Sequence, residues 1–273
     1  MRNRVILLSV VFVFAAVGAS AHQVMGMDVS DLQPSDFASR DACPLLSQCD
    51  NIGFGPGGLA WDGAYLWVGG GFGNARIYKY DVATCSIVSS FAAPSAGWLD
   101  AITGLAFDGT NLWCHPEETG LIYKLDPSDG TVLDSFEAPS YGTGDPNGGG
   151  LAWDGSNLWH VHSEWNTLYK LDPTNGSVLD SFSVPSGYSS GLAFWDGKLV
   201  VANITTDELH VIDADDGTLL SSCGAPSAHP WGVAPTGAAF WLSGNAETDV
   251  FQLDIFGTPV EDRTWGTIKA IYR

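Results

Sequence analysis

Basic residues are scarce in this sequence, which has 11 Lys and Arg against 31 Asp and Glu and a formal net charge of −20 at pH 7. A surface of that sign repels phosphate backbones and anionic lipid headgroups, so the charge excludes nucleic acid as an expected partner. It favours a soluble, exported protein that attracts cations. The ligands that fit this composition are a protein, a peptide or a carbohydrate.

Three familiar chemical motifs are missing. There is no Cys-x-x-Cys pair that would indicate a structural zinc site. No glycine-rich loop runs into Lys-Ser or Lys-Thr, which a phosphate-binding loop requires. No Ser, His and Asp set stands out for nucleophilic catalysis. The absences favour a binding module over enzymes of these classes.

Only one long apolar run is present, and it lies at the N-terminus. Two Arg residues precede Val5–Val17, and an Ala-Ser-Ala triplet ends at Ala21. This pattern predicts a secretory signal peptide at residues 1–21 and a secreted or periplasmic protein after cleavage near Ala21. The run is short for a membrane span, and no other segment resembles one, so no membrane span is expected.

A repeated unit accounts for most of the remaining chain. Each copy opens with Gly-Leu-Ala or Gly-Val-Ala, and the steps between the opening glycines are 46, 46, 41 and 41 residues. A period in the forties without helical periodicity is typical of β-propeller blades of four strands. The sequence therefore predicts an all-β propeller. The opening glycines are Gly58, Gly104, Gly150, Gly191 and Gly232.

The copy that begins at Gly150 shows the strands most clearly. Alternating side chains predict strands at Gly150–Trp153, Leu158–His162, Thr167–Leu171 and Ser177–Val184. Asp172–Gly176, with the sequence Asp-Pro-Thr-Asn-Gly, fits a type I turn closed by a glycine at positive φ. Comparable turns recur in the neighbouring copies, so the whole blade is a repeated motif.

The two ends of the chain bear on the number of blades. Residues 22–43 carry no repeat and are predicted to be an N-terminal arm, followed by a propeller at 44–273. Pro44–Cys49 matches the outer strand of a repeat, and Thr267–Tyr272 matches an inner strand. Terminal strands that share a blade would close the ring and remove open sheet edges. This arrangement favours six blades; five blades with spare terminal strands is the alternative.

The run GLAWDG…LW…IYKYD…IVSSF resembles secreted propeller repeats, in particular those of the glutamine cyclotransferase (glutaminyl cyclase) family and of the NHL and YVTN-like propellers. The resemblance covers about residues 44–273 and implies the fold. In glutaminyl cyclases a Gln or Glu that faces the axis precedes the opening Gly-Leu of some blades. No carboxylate occupies those places here, so the sequence predicts no glutaminyl cyclase activity. The residues there are Gly57, Thr103, Gly149, Ser190 and Trp231.

The loops that join strands two to three and strands four to one are the expected ligand face, by analogy with other propellers. Aromatic and acidic residues lie on or beside these loops, while the strand cores repeat closely. The sequence thus predicts a secreted, non-enzymatic binding or scaffold propeller. The alternative is an enzyme with its site on the same face. That enzyme would be either glutaminyl-cyclase-like or a metal-dependent lyase or hydrolase. The candidate binding residues are Trp98, Glu117, Glu118, Tyr141, Glu164, Trp165, His229 and Trp231.

Three histidines are candidates for binding a divalent metal. His160 and His162 stand two residues apart on a predicted strand, so their side chains point the same way and can chelate one ion. His115, in the corresponding strand of the preceding repeat, could lie nearby. The alternative is a histidine pair that forms only local hydrogen bonds.

The cysteines number five, so at least one is unpaired. In an oxidising compartment one or two disulfides are expected. Either Cys43–Cys85 or Cys49–Cys85 would tie the N-terminal segment to the first blade, and the spacing leaves the pairing open. The remaining cysteines are Cys114 and Cys223.

Overall fold

The computed structural model is an all-β propeller of four-stranded blades. It describes residues 42–50, 52–94, 100–139, 148–185, 187–237, 239–244 and 248–256, and within these ranges twenty strands form five sheets. The strands are β1 Leu45–Cys49, β2 Pro56–Trp61, β3 Leu66–Gly70, β4 Arg76–Asp81, β5 Ser86–Ala92, β6 Ile102–Phe107, β7 Leu112–Pro116, β8 Leu121–Leu125, β9 Val132–Glu137, β10 Leu151–Trp153, β11 Leu158–His162, β12 Thr167–Leu171, β13 Val178–Ser183, β14 Ser189–Trp195, β15 Lys198–Asn203, β16 Glu208–Asp213, β17 Leu219–Gly224, β18 Pro230–Thr236, β19 Ala239–Gly244 and β20 Val250–Leu253.

Four of the blades are built from consecutive antiparallel strands. Blade one is β2–β5, blade two β6–β9, blade three β10–β13 and blade four β14–β17. Blade five takes β18, β19 and β20 in order, and β1 adds to its outer edge. In that last pair Leu45 lies opposite Leu253, and Cys49 lies opposite Val250. One blade therefore combines strands from distant parts of the chain.

The prediction of six blades was wrong, because the propeller described has five. The prediction treated the repeat that opens at Gly232 as complete and assigned the terminal strands to a further blade. That repeat contributes only three strands to its sheet, and β1 supplies the fourth. The predicted outer strand at Pro44–Cys49 is thus present but belongs to blade five. The predicted strand at Thr267–Tyr272 lies outside the described residues.

The opening glycines permit close approach of neighbouring inner strands. A Cβ atom on Gly58 would lie 2.7 Å from the carbonyl oxygen of Thr103 in the next blade. A Cβ on Gly232 would collide in the same way with the carbonyl oxygen of Gly57. Only glycine fits at such backbone contacts. The most regular residue of the repeat is therefore required by packing around the axis.

A repeated set of side chains supports blades one, two and three. In blade two the Trp113 Nε1–H donates to Asp108 Oδ2 at 3.0 Å, and the Lys124 Nζ lies 3.7 Å from the same oxygen. Lys124 also lies over the Trp113 ring at 5.1 Å from its centroid. Such a combined hydrogen bond, ion pair and cation–π contact fixes the orientation of the buried indole. The corresponding sets are Asp62, Trp67 and Lys79, and Asp154, Trp159 and Lys170.

Asp108 also organises the turn between β6 and β7. Its Oδ1 accepts hydrogen bonds from the backbone N–H groups of Thr110 and Asn111, at 2.9 and 2.6 Å. Burial alone would raise the pKa of Asp108, but these donors, with the Asn111 amide and the Trp113 indole, outweigh burial and hold the pKa below its ordinary value. The carboxylate is thus ionised and links the turn to the core between blades.

Among the described residues, two disulfides connect β1 and the segment before it to blade four and blade one. Cys43 pairs with Cys223 on β17 of blade four. Cys49 pairs with Cys85 in the turn between β4 and β5 of blade one. Of the two predicted pairings with Cys85, this is the one the structure contains, and Cys114 is free and buried. Two disulfides are typical of an oxidising, extracytoplasmic environment.

The predicted signal peptide and residues 22–41 of the predicted arm lie outside the described residues. Export and cleavage near Ala21 therefore stay predictions. Across the ranges that the structure describes, no helix has the length and apolar character needed to cross a bilayer.

Candidate functional site

Polar and charged side chains gather where blades two and three meet, on the face of the loops that join strands two to three and four to one. We call this place the blade 2–3 mouth. It consists of Asp100, Thr103, His115, Glu117, Glu118, Gly148, Gly149, His160, His162, Ser163 and Trp165.

Strand alternation brings the histidines of the two blades together. On β7, Trp113 packs in the core shared with blade three, whereas Cys114 packs in the core shared with blade one. His115 shares the Trp113 side because side chains alternate with a period of two. On β11, Leu158 packs toward blade two, so His160 points the same way. The His115 and His160 ring centroids are consequently 5.0 Å apart.

A pair of glycines passes between the two sets of side chains. A Cβ atom on Gly148 would lie 2.8 Å from the Cα of Glu117, and one on Gly149 would collide with the carbonyl oxygen of Val161. The N–H of Gly149 instead donates to His115 Nδ1 at 3.3 Å. The run of three glycines that opens this repeat thus allows the chain to enter blade three beneath the mouth.

Hydrogen bonds from the backbone determine the tautomers of two histidines. The Nδ1 of His115 accepts from Gly149, and the Nδ1 of His162 accepts from the N–H of Trp165 at 3.3 Å. In the neutral ring the proton then resides on Nε2, which makes that nitrogen a donor. Metal-binding histidines usually show the opposite pattern, because the nitrogen that does not bind metal donates its N–H to a neighbour.

The three candidate metal ligands lie side by side, with His160 and His162 centroids 6.4 Å apart. Among the residues that the structure describes, however, no group of three or more His, Cys, Asp or Glu side chains is placed to hold a metal ion. The metal site at His115, His160 and His162 stays a prediction.

Two histidines of the mouth, His115 and His160, are neutral at physiological pH. Burial, aided by the neighbouring His162 and opposed by the Gly149 hydrogen bond, lowers the pKa of His115 to about 4. Burial and the adjacent His115 and His162 place the pKa of His160 well below its ordinary value. His160 is fully buried, and neither of its ring nitrogens has a hydrogen-bond partner within the described ranges. It is a desolvated polar group, which native folds seldom leave unpaired.

Three carboxyl groups belong to the same mouth. Asp100 is fully buried, and its Oδ1 accepts a hydrogen bond from the N–H of Glu118 at 3.0 Å. The Oε2 of Glu117 is buried and has no hydrogen-bond partner among the described residues. Burial, followed by repulsion from Asp100 and Glu118, raises the pKa of Glu117 to about 7. Perturbation of this kind is characteristic of functional sites.

The lysines of blades one, two and three lie away from these carboxyl groups. The sequence has no Lys or Arg between Lys79 and Lys124, or between Lys124 and Lys170. All three lysines pair with the aspartates of the turns between strands one and two, at the opposite ends of the strands.

The remaining sequence candidates divide between two places. Glu164 and Trp165 are exposed at the blade 2–3 mouth, and the Trp165 ring lies 5.8 Å from the His162 ring. His229 and Trp231 lie instead where blade five begins. Trp231 is 5% exposed and packs edge-on against Phe72 of blade one. Two further candidates, Trp98 and Tyr141, lie outside the described residues.

Asp100, Thr103 and Ser163 were not among the candidate binding residues predicted from the sequence. Thr103 Oγ1 donates to the His115 carbonyl at 3.1 Å, and Ser163 Oγ donates to the Gly148 carbonyl at 2.5 Å, so both hold the backbone of the mouth. A signal for Asp100 was present. It lies four residues before an opening glycine, and the equivalent residues of the other repeats are all uncharged: Phe54, Pro146, Gly187 and Ala228.

The propeller axis offers a second space. It is a cavity of about 70 Å³ near the turns between strands one and two, far below the several hundred Å³ of a typical ligand pocket. No charged side chain lines it, so we do not assign it the main ligand. Its lining includes Leu59, Trp61, Leu105, Phe107, Leu151, Trp153, Leu192, Phe194, Val233 and Pro235.

Comparison with solved structures identifies the fold. The glutaminyl cyclase of Myxococcus xanthus superposes with a TM-score of 0.65 at 15% identity, covering 78% of this chain and 97% of that one. A streptogramin B lyase has a TM-score of 0.47 at 16% identity, with 73% and 65% covered. The virginiamycin B lyase of Staphylococcus aureus has a TM-score of 0.47 at 17% identity, with 74% and 66% covered. No protein-family model and no curated protein sequence matches the chain. The chain is thus a propeller repeat protein with the fold of a glutaminyl cyclase.

Proposed function

We propose that this protein is an extracytoplasmic binding propeller that captures a ligand at the blade 2–3 mouth. One observation carries the proposal: the Oε2 of Glu117 and both ring nitrogens of His160 are buried there, yet none of these atoms has a hydrogen-bond partner among the described residues. An unpaired buried polar atom costs about 1–3 kcal/mol of folding free energy. A fold retains such a cost where the groups serve a ligand.

The rest of the fold suits this role. Ser243 Oγ of blade five donates to the Gly57 carbonyl of blade one at 2.7 Å, which supports closure of the ring between these two blades. A closed ring is a rigid frame on which loops of different chemistry can be displayed. The two disulfides and the predicted signal peptide support export.

A thermal-shift experiment at pH 8 tests the proposal with four probes: n-butylammonium chloride, methyl glucoside, zinc chloride and a neutral tripeptide amide. We expect at least one probe to raise the melting temperature of the wild-type protein. The shift should be lost in Glu117→Gln and kept in Glu137→Gln. Glu137 is a matched control because it is exposed on the outer strand of the same blade. Absence of any shift, or an equal shift in Glu117→Gln, would contradict the proposal.

A catalytic role is the second candidate, and the pKa of about 7 for Glu117 favours it. A carboxyl group that titrates near neutral pH can act as a general acid or base. The similarity in fold to a glutaminyl cyclase suggests the first substrate to examine. Cyclisation of a glutaminyl peptide that is abolished by Glu117→Gln and retained in Glu137→Gln would establish the enzyme; the missing axial carboxylates predict no turnover.

A further inference from the structure

We propose that a second binding site lies between blades three and four and takes an uncharged polyol. The site consists of Ser189, Asn203, Glu208 and His210, which we call the blade 3–4 row. It is separate from the blade 2–3 mouth, and the inference does not depend on the function proposed there.

Strand register brings the four side chains of the row together. Ser189 on β14 lies opposite Asn203 on β15, and Asn203 lies opposite Glu208 on β16. Residues directly opposite each other project from the same face of a sheet, with Cβ atoms about 4.5–5.5 Å apart. Val201, two residues before Asn203, packs in the core shared with blade three, so the row faces that blade. His210 follows on the same face of β16, and its Nε2 lies 3.2 Å from Glu208 Oε2.

Three side chains of the row are buried and carry a polar atom without a hydrogen-bond partner among the described residues. These atoms are Ser189 Oγ, Asn203 Nδ2 and His210 Nδ1. The three residues are 1%, 0% and 4% exposed, in that order. Buried polar groups without partners are rare in native folds, and each one costs folding free energy. Three of them on one face of one sheet indicate a place for a polar ligand.

The unpaired atoms define the chemistry of that ligand. Asn203 Nδ2 only donates, so the ligand must offer an acceptor. In the neutral His210 ring the Nε2–H donates to Glu208, which leaves Nδ1 as an acceptor that requires a donor. A hydroxyl group supplies both, and the Ser189 hydroxyl can pair with another hydroxyl in either sense. An ammonium group would leave Asn203 Nδ2 unpaired, and the Glu208 carboxylate repels an anion. An uncharged compound with neighbouring hydroxyl groups therefore fits the row.

The row lies directly beneath the surface turn between β15 and β16. Asn203 Oδ1 accepts hydrogen bonds from the N–H groups of Thr205 and Thr206 at 2.9 and 3.2 Å, and both threonines are exposed. Thr205 Oγ1 accepts from the N–H of Tyr188 at 2.9 Å, which joins the turn to the segment that enters blade four. In that segment a Cβ atom on Gly187 would collide with the Asn203 amide. Loop segments thus cover the row, and loops move more readily than the sheet below them. Because the row is buried, a narrow acyclic polyol is the form expected to reach it.

Isothermal titration calorimetry with xylitol tests the inference, and n-pentanol serves as the analogue with the same carbon chain and a single hydroxyl group. We expect saturable binding of xylitol and none of pentanol. The Ser189→Ala substitution should weaken xylitol binding about fivefold, the effect of losing one neutral hydrogen bond. Ser183→Ala is the matched control, because it removes an exposed serine hydroxyl from the outer strand of blade three, and it should match the wild type. Glu117→Gln should also bind xylitol normally, since Glu117 belongs to the blade 2–3 mouth.

Guanidinium denaturation without xylitol separates a binding role of Ser189 from a structural one. The Ser189→Ala variant should unfold at the same denaturant concentration as the wild type or at a higher one, because an unpaired buried hydroxyl does not stabilise the fold. A lower midpoint together with unchanged xylitol binding would mean that the hydroxyl only holds an interior water, and the inference would be wrong.

Two further outcomes would overturn the inference, with different consequences for the proposed function. If xylitol does not bind, or pentanol binds equally well, the blade 3–4 row is not a polyol site, and the proposed function is still decided by its own four probes. If xylitol binding is lost in Glu117→Gln and kept in Ser189→Ala, the polyol occupies the blade 2–3 mouth. The inference then fails while the proposed function gains support.

Discussion

Removal of the Cys43–Cys223 disulfide by the double substitution Cys43→Ser/Cys223→Ser should lower the free energy of unfolding by about 5 kcal/mol. The bond joins residues 180 positions apart. Its loss restores to the unfolded chain the conformational entropy of a very long loop. Guanidinium denaturation followed by tryptophan fluorescence under non-reducing conditions measures the change.

The structural reason for this large effect is the weak attachment of β1. Leu45 and Leu46 are exposed, and among the described strands β1 pairs with β20 alone. The disulfides fix the segment at both ends, to blade four and blade one. The control is Cys114→Ala, which changes a free buried cysteine and leaves both bonds in place. A decrease in the free energy of unfolding of less than about 1 kcal/mol in the double variant would contradict this account. It would mean that the hydrogen bonds of the sheet, each worth about 1 kcal/mol, are sufficient to hold β1.

Substitution of Trp113 by Ala should cost about 3–5 kcal/mol of unfolding free energy, because it leaves a large cavity between blades two and three. Trp113 is 1% exposed, and its indole is bound to Asp108 and covered by Lys124. The matched control is Trp165→Ala, in which a 44% exposed tryptophan is removed at a cost of about 0.5 kcal/mol or less. Chemical denaturation gives both values, and equal losses in the two variants would contradict the packing described here.

The strand pattern of the repeat could be predicted well from the sequence. The predicted strands at Leu158–His162 and Thr167–Leu171 have the bounds that the structure gives. Local alternation and turn residues determine such elements, so a single repeat contains the information needed.

The number of blades could not be obtained in this way. The partner of β1 is β20, about 200 residues away in sequence, and periodicity does not show which sheet a terminal strand joins.

The candidate site was predictable only in part, and for a related reason. The position of Glu117 on a loop of the expected ligand face could be inferred from the repeat. The burial of Asp100 could not, because it depends on how the connection between blades packs. Exposure of the tryptophans was also beyond the sequence. Trp165 and Trp231 both lie on or beside loops of that face, yet Trp165 is exposed and Trp231 is buried against Phe72.

The most direct test of the site is an NMR titration of the Glu117 carboxyl carbon in protein labelled with ¹³C-glutamate. The Glu117→Gln variant assigns the signal by its disappearance. Burial and the neighbouring Asp100 and Glu118 predict a midpoint of about 7 in the ligand-free protein. A midpoint near the ordinary value of 4.5 would show that the carboxyl group is solvated or neutralised, and the blade 2–3 mouth would then lose the feature on which its proposed function rests.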